Sequence, residues 1–206
     1  NSLIIPFYNE EKKIIDSLIK IRNFIKLQKD SWEVIIVNDG SVDKTLSLLE
    51  GFRPSFFKII SYPCNKGKGY AIKRGILESS GKYVGFIDGD MPYLLENLRN
   101  AFDTVKEYDV VIGSRQLSPR NHPKTTFLRR IAGRFFNILS RIILNHNFKD
   151  TQCGLKVFKS GPARKLVSKQ TFNRWSFDAE ILFIAKKMNL KIKEIPASLS
   201  DEHSYK

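Results

Sequence analysis

Lys82-Tyr83-Val84-Gly85-Phe86-Ile87-Asp88-Gly89-Asp90 is an apolar run that ends in two carboxylates one residue apart. Its shortness and its aromatic and β-branched content predict a buried strand over residues 82–87. Two readings of its end compete. Asp and Gly are both common turn formers, so Asp88-Gly89 can be an ordinary strand-to-loop turn. Paired carboxylates at the end of a buried strand also suit a divalent cation, because hard cations take carboxylate oxygens together with substrate phosphates.

Working outward, apolar runs over residues 3–6, 32–37, 57–61 and 110–112 predict further strands. Between them, residues 10–27 carry Ile14, Leu18, Ile21 and Ile25 at helical spacing, and residues 44–49 and 69–77 predict two more helices. Strands that alternate with helices imply βαβ units and a mostly parallel, Rossmann-like sheet with helices on its faces. That order sets Asn9-Glu10, Asp39, Asp88 and Asp90 just beyond the carboxyl ends of successive strands, the edge where open α/β sheets bind ligands. Asn65-Lys66-Gly67-Lys68-Gly69 opens a helix, where backbone amides and ammonium groups can approach phosphate oxygens.

The chain of 206 residues carries 35 Lys+Arg against 21 Asp+Glu, a net charge of +14 that implies an anionic partner. Nucleic acid, anionic lipid and phosphorylated small molecules are the candidates, but the basic residues are not interleaved with aromatics as in a nucleic-acid motif, so no nucleic-acid partner is expected. With 42% apolar residues the chain is expected to fold as one α/β domain over 1–206, with halves at 1–115 and 116–206. Cys64 and Cys153 form no CxxC pair, which suits a reducing compartment and excludes a zinc knuckle built on cysteines. No run of about 18 apolar residues predicts a bilayer span. The chain opens on Asn1 without an initiator Met, so residues are expected to precede it.

The second half differs in kind. Residues 116–126 are polar and basic, a candidate flap over the site. Over residues 127–144, Leu128, Ile131, Phe135, Ile138, Leu139 and Ile142 share one helical face, and Arg130, Arg134, Asn137 and Arg141 share the other. Such a helix can lie in a membrane interface, or it can pack on the core as most amphipathic helices do.

Taken in order, PFYNEE (6–11), NDGSVDKT (38–45), NKGKGYAIKRGI (65–76), IDGD (87–90), GSR (113–115), DTQCGLKVF (150–158) and RWSFDAEILFIAKK (174–187) resemble glycosyltransferase family 2, with its GT-A fold. The motifs cover nearly the whole chain. DTQCG points within the family to the polyprenyl-phosphate sugar synthases and leans toward their glucosyl branch.

That resemblance implies a metal-dependent, inverting hexosyltransferase that moves glucose in preference to mannose from a nucleotide-diphosphate sugar to a polyprenyl phosphate, dolichyl or undecaprenyl. UDP-glucose is the implied donor ahead of GDP-mannose, with Mg2+ or Mn2+ as the cation. The expected place is the cytosolic face of a membrane, reached through the basic helix at 127–144 or an anchor outside these residues. Pro6, Tyr8, Asn9, Glu10, Asp39 and Lys68 are implied to hold the nucleotide. Asp88 and Asp90 match the DxD pair, Asp90 on the metal and Asp88 on metal or ribose. Arg115, Arg129 and Arg130 match basic positions that face the diphosphate or the acceptor phosphate. Asp178 and Glu180 fall beside the acceptor, and His203 and Lys206 match a phosphate-contacting loop.

The chain departs from the family in three places. Met91-Pro92 follows the DxD where mannosyl relatives offer another ligand, Asn38 replaces an Asp, and Ser204-Tyr205-Lys206 stands for Gly-Ser-Lys. The chemistry is consistent with the implied reaction. A cation on the diphosphate is a Lewis acid for the leaving group, arginines add donors to the developing charge, and a phosphate acceptor is already ionised and needs no strong base. His122, His146 and His203 accordingly sit in unrelated contexts. Two alternatives stay open: a family 2 enzyme acting on a glycan or protein hydroxyl with Asp178 as base, and a non-catalytic nucleotide-sugar or nucleic-acid binding module.

Overall fold

The computed structural model describes residues 1–52, 54–119, 148–174 and 176–200. Its frame is a seven-stranded sheet in the order β3-β2-β1-β4-β6-β5-β7. The strands are β1 (Ser2–Phe7), β2 (Glu33–Asn38), β3 (Phe57–Ser61), β4 (Tyr83–Phe86), β5 (Val110–Ser114), β6 (Lys156–Lys159) and β7 (Ile192–Pro196). All neighbours pair in parallel except β6, which runs antiparallel to both β4 and β5. The α/β reading of the sequence holds. β6 and β7 were not foreseen.

Alternation along the strands divides the core between the two faces of the sheet. Leu3, Ile5 and Phe7 of β1 with Val34 and Ile36 of β2 pack beneath α1 (Ile14–Lys26) and α4 (Leu95–Thr104), through Ile14, Leu18 and Ile21 and through Leu98, Ala101 and Phe102. Ile4, Ile35 and Val37 point the other way with Val84, Phe86, Ile112 and Phe158. They are covered by α3 (Lys68–Glu78), α5 (Ser160–Lys169) and α6 (Phe177–Lys187). The short helix α2 (Thr45–Gly51) adds Leu49 to the first face. β1, β2 and β4 are buried on both faces, as parallel strands are when helices flank them.

α1 begins four residues later than its periodicity predicts, at Ile14. Asn9 adopts a left-handed φ of 53°, and the amides of Asn9, Glu10 and Glu11 donate to Ser41, Thr45 and Asp43 side chains on the loop after β2. Those bonds hold residues 8–11 as a loop at the sheet edge and keep them out of the helix. β2 and β3 branch from β1 to one side and β4 lies on the other, so the loops after β1 and β4 diverge. A crevice opens between them, as expected where strand order reverses.

Ile4 is fully buried on the central strand beneath α3. Ile4→Ala removes its packing without touching the crevice, and is expected to destabilise the fold by about 2–5 kcal/mol in urea denaturation.

Candidate active site

The crevice is a cleft of about 520 Å³ lined by Pro6, Phe7, Tyr8 and Glu10 after β1, Asp39 after β2, Asn65, Gly67 and Lys68 at the start of α3, Asp88, Gly89 and Asp90 after β4, and Arg174. Seven residues singled out from sequence therefore meet here: Pro6, Tyr8, Glu10, Asp39, Lys68, Asp88 and Asp90.

Its charges are unevenly satisfied. Lys68 Nζ lies 2.5 Å from Asp88 Oδ1. The same carboxylate packs directly on Gly154 of the DTQCG segment, where any Cβ would overlap it. Asp88 is thus held from two sides and its charge is compensated. Glu10 and Asp90 both line the cleft, and burial first, then the Asp90 charge, raises the Glu10 pKa above its ordinary value. Two carboxylates repelling one another in an open cleft fit a cation between nucleotide and protein. Asp88, expected as a metal ligand, is ion-paired to Lys68 in this structure. Asp90 lines the same cleft, with Glu10 nearby. Among the described residues no group of three His, Cys, Asp or Glu side chains forms a closed metal site. A cation held beside Asp90 and Glu10 would need further oxygens from a diphosphate and water.

Asp39 is 3% exposed. Its Oδ1 accepts from Tyr62 Oη and the Lys66 amide, and its Oδ2 accepts from Asn65 Nδ2 and the Gly67 amide, all at 2.8–2.9 Å. This carboxylate occupies the amides that open α3, the anion position the sequence suggested for a phosphate. Within the 65–69 segment, where phosphate contact was expected, the Lys66 and Gly67 amides donate to this carboxylate, which the positive end of the helix favours. Gly40 turns toward this loop at φ 66°, with the Cys64–Asn65 backbone where a Cβ would stand.

Three other expected site residues have partners in the structure. Asn9 does not line the cleft; its Oδ1 accepts from the Val42 amide and clasps the loops after β1 and β2 together. Arg115 was expected to face phosphate. Its Nε and Nη2 grip Asp150 in a fork at 2.6 and 2.8 Å, and its amide donates to the same carboxylate. Burial opposes the charge of Asp150, but Arg115 outweighs it and holds the Asp150 pKa below the usual range. Asp178, the candidate base, is 3% exposed and salt-bridged to Lys156. Glu180 accepts from the Thr171 and Phe172 amides and from Thr171 Oγ1, which organises the segment before α6.

Arg129, Arg130, His203 and Lys206, the amphipathic helix at 127–144 and most of the basic loop at 116–126 lie outside the described residues. Sequence reasoning missed Arg174, although it opens the quoted RWSFDAE segment, because attention there went to carboxylates. The segment is placed by the Asn173 carbonyl, which accepts from the Tyr70 amide in the first turn of α3. Also missed was Tyr93, whose hydroxyl accepts from the Gly154 amide and fixes the glycine against Asp88.

The Arg115–Asp150 fork joins a buried acid to an arginine side chain that is 35% exposed, and losing such a charge-assisted hydrogen bond costs about 1.5–3 kcal/mol. A depressed folded pKa contributes stability above the unfolded value, near 3.8, and loses it as pH falls. Asp150→Asn is therefore expected to lower Tm markedly at pH 7, with the gap to wild type closing below about pH 4. A gap that widens in acid would contradict the assignment.

Comparison with known proteins agrees with this fold. The family model for Glycosyl transferase family 2 matches residues 2–167. A dolichyl-phosphate beta-glucosyltransferase of Trichomonas vaginalis is 36% identical, covering 94% of this chain and 64% of its own length. The dolichyl-phosphate beta-glucosyltransferase of Dictyostelium discoideum is 35% identical, covering 97% of this chain and 66% of its own. The chain thus spans just under two thirds of these relatives. Among solved structures, a mannosyltransferase of Pyrobaculum calidifontis in complex with GDP-Man and Mn2+ shares the fold at a TM-score of 0.66 and 19% identity, over 95% of this chain and 54% of that one.

Proposed function

The chain belongs to glycosyltransferase family 2, and from that membership we propose that it transfers glucose from UDP-glucose to a polyprenyl phosphate, dolichyl phosphate in the first instance, with inversion at the anomeric carbon. The observation that carries the reading is the cleft between the loops after β1 and β4, where Glu10 and Asp90 share a space edged by Lys68 and Arg174. Support for glucose and for dolichyl phosphate comes from the names of the relatives in Trichomonas and Dictyostelium. Support for a divalent cation comes from the Mn2+ in the Pyrobaculum mannosyltransferase complex.

Breaking the glycosidic bond leaves negative charge on the nucleoside diphosphate. Asp90, aided by Glu10, would hold a Mg2+ or Mn2+, which when bound supplies Lewis acidity to that leaving group. Lys68, locked to Asp88, holds the strand end rigid beside it, and Arg174 brings a guanidinium to the cleft rim. Donors fixed before the reaction stabilise developing charge without reorganising at the moment of transfer. Pro6, Phe7 and Tyr8 offer an apolar wall for the nucleoside. The acceptor phosphate is an anion at neutral pH and attacks without a protein base. This suits a cleft from which Asp178 is withdrawn, and it counts against a hydroxyl acceptor activated by that carboxylate.

Among the described residues no helix is long and apolar enough to cross a membrane. We place the reaction at the cytosolic membrane face because the acceptor is a lipid and the chain is basic.

Transfer of labelled glucose from UDP-glucose to dolichyl phosphate, dependent on Mg2+ or Mn2+, is the expected result; absence of any lipid product from either UDP-glucose or GDP-mannose would overturn it. Asp90→Ala should reduce that transfer by about 10²-fold or more, the effect of losing roughly 3 kcal/mol of transition-state stabilisation. A fully active Asp90→Ala enzyme would show that the cation lies elsewhere.

A further inference from the structure

Behind the cleft wall lies a second ion pair that the reaction as described does not use. Lys156, the first residue of β6, is 0% exposed. Its ammonium donates to the Cys153 carbonyl at 2.8 Å and salt-bridges Asp178 Oδ1 at the start of α6. It also stands over the Phe86 ring, 5.5 Å from the centroid. Asp178 Oδ2 is 4.0 Å from Lys68 Nζ, the ammonium that holds Asp88. Four charges therefore alternate in a row, Lys156, Asp178, Lys68 and Asp88, against the rings of Phe86 and Phe177. Burial works against the Lys68 ammonium, yet Asp88 and then Asp178 outweigh it and keep the group charged.

Lys68 thus has two carboxylates within reach and sits on one of them. A buried carboxylate without a partner is strongly unfavourable, and Lys156 supplies that partner to Asp178. From this arrangement we infer that Lys156 is a positioning residue for the donor site: by satisfying Asp178, it leaves Lys68 free to hold Asp88. The role rests on reading the cleft as a nucleotide-sugar site. With Lys156 replaced by an apolar side chain, Asp178 draws Lys68 toward itself. Asp88 then stands uncompensated beside Glu10 and Asp90, three carboxylates in a cleft that must accept a diphosphate. Asp178 is the competitor in this scheme, so removing its charge together with Lys156 returns Lys68 to Asp88.

The test is the UDP dissociation constant with Mn2+ present, by titration calorimetry, on chains shown to be folded by circular dichroism. Lys156→Met is expected to weaken UDP by on the order of tenfold or more, the effect of one close charge misplaced. The double variant Lys156→Met/Asp178→Asn, which replaces the pair by uncharged groups of similar size, is expected to return to within about threefold of wild type. Asp178→Asn alone should cost less than Lys156→Met, because it removes the competitor. A pair that only props up the fold would make the two single variants equally damaging and would give no recovery in the double. Unchanged affinity in Lys156→Met, or a folded double variant that stays as weak as Lys156→Met, would overturn the role of Lys156. Should Lys156→Met fail to fold, the double variant decides alone, since a folded double that has lost UDP contradicts the inference. A wild-type chain that binds neither UDP nor GDP would instead overturn the reading of the cleft, and this role with it.

Discussion

The ion pair between Lys68 and Asp88 holds the candidate site together. It bridges the first residue of α3 and the loop after β4, two elements on opposite sides of the point where strand order reverses. An isolated charge at a sheet edge would stay in solvent. A carboxylate pressed on the Gly154 backbone and an ammonium set against Phe86 and Phe177 are tolerated only because each meets the other and because Lys156 and Asp178 continue the alternation inward. In the proposed reaction the two DxD carboxylates differ in their surroundings: Asp88 is ion-paired to Lys68, and Asp90 lines the cleft beside Glu10.

Fixed carboxylates recur around the cleft. Asp39 takes the amides at the start of α3, Asp150 takes Arg115, and Glu180 takes the amides of residues 171 and 172. Each ties a loop to a strand end or a helix start, and Asp39 does so at the cleft itself. Rigidity of this kind suits a reaction that depends on donors aimed at charge that appears only in the transition state.

Much of this was legible in the sequence. Glu10, Asp39, Asp88 and Asp90 follow apolar runs of strand length, and parallel topology alone carries the ends of such runs to one edge. What could not be read was which polar residues would be consumed by each other. Asn9 meets Val42, Arg115 meets Asp150, and Lys156 meets Asp178, pairs separated by 22 to 35 residues in the chain. Periodicity says nothing about such pairings. β6 escaped notice for the same reason: Lys156-Val157-Phe158-Lys159 does not look like a buried strand until Asp178 is found beside its first lysine. The late start of α1 was hidden likewise, since the bonds that delay it come from Ser41, Asp43 and Thr45.

The central claim is that the cation belongs to Asp90 while Lys68 keeps Asp88. Anomalous scattering from crystals grown with UDP and Mn2+ measures this directly. The account predicts one manganese peak within ligand distance of an Asp90 carboxylate oxygen, bridged to the diphosphate, with the Lys68 ammonium still on Asp88. A manganese held by Asp88 with Lys68 displaced, or a peak away from both carboxylates, would contradict it.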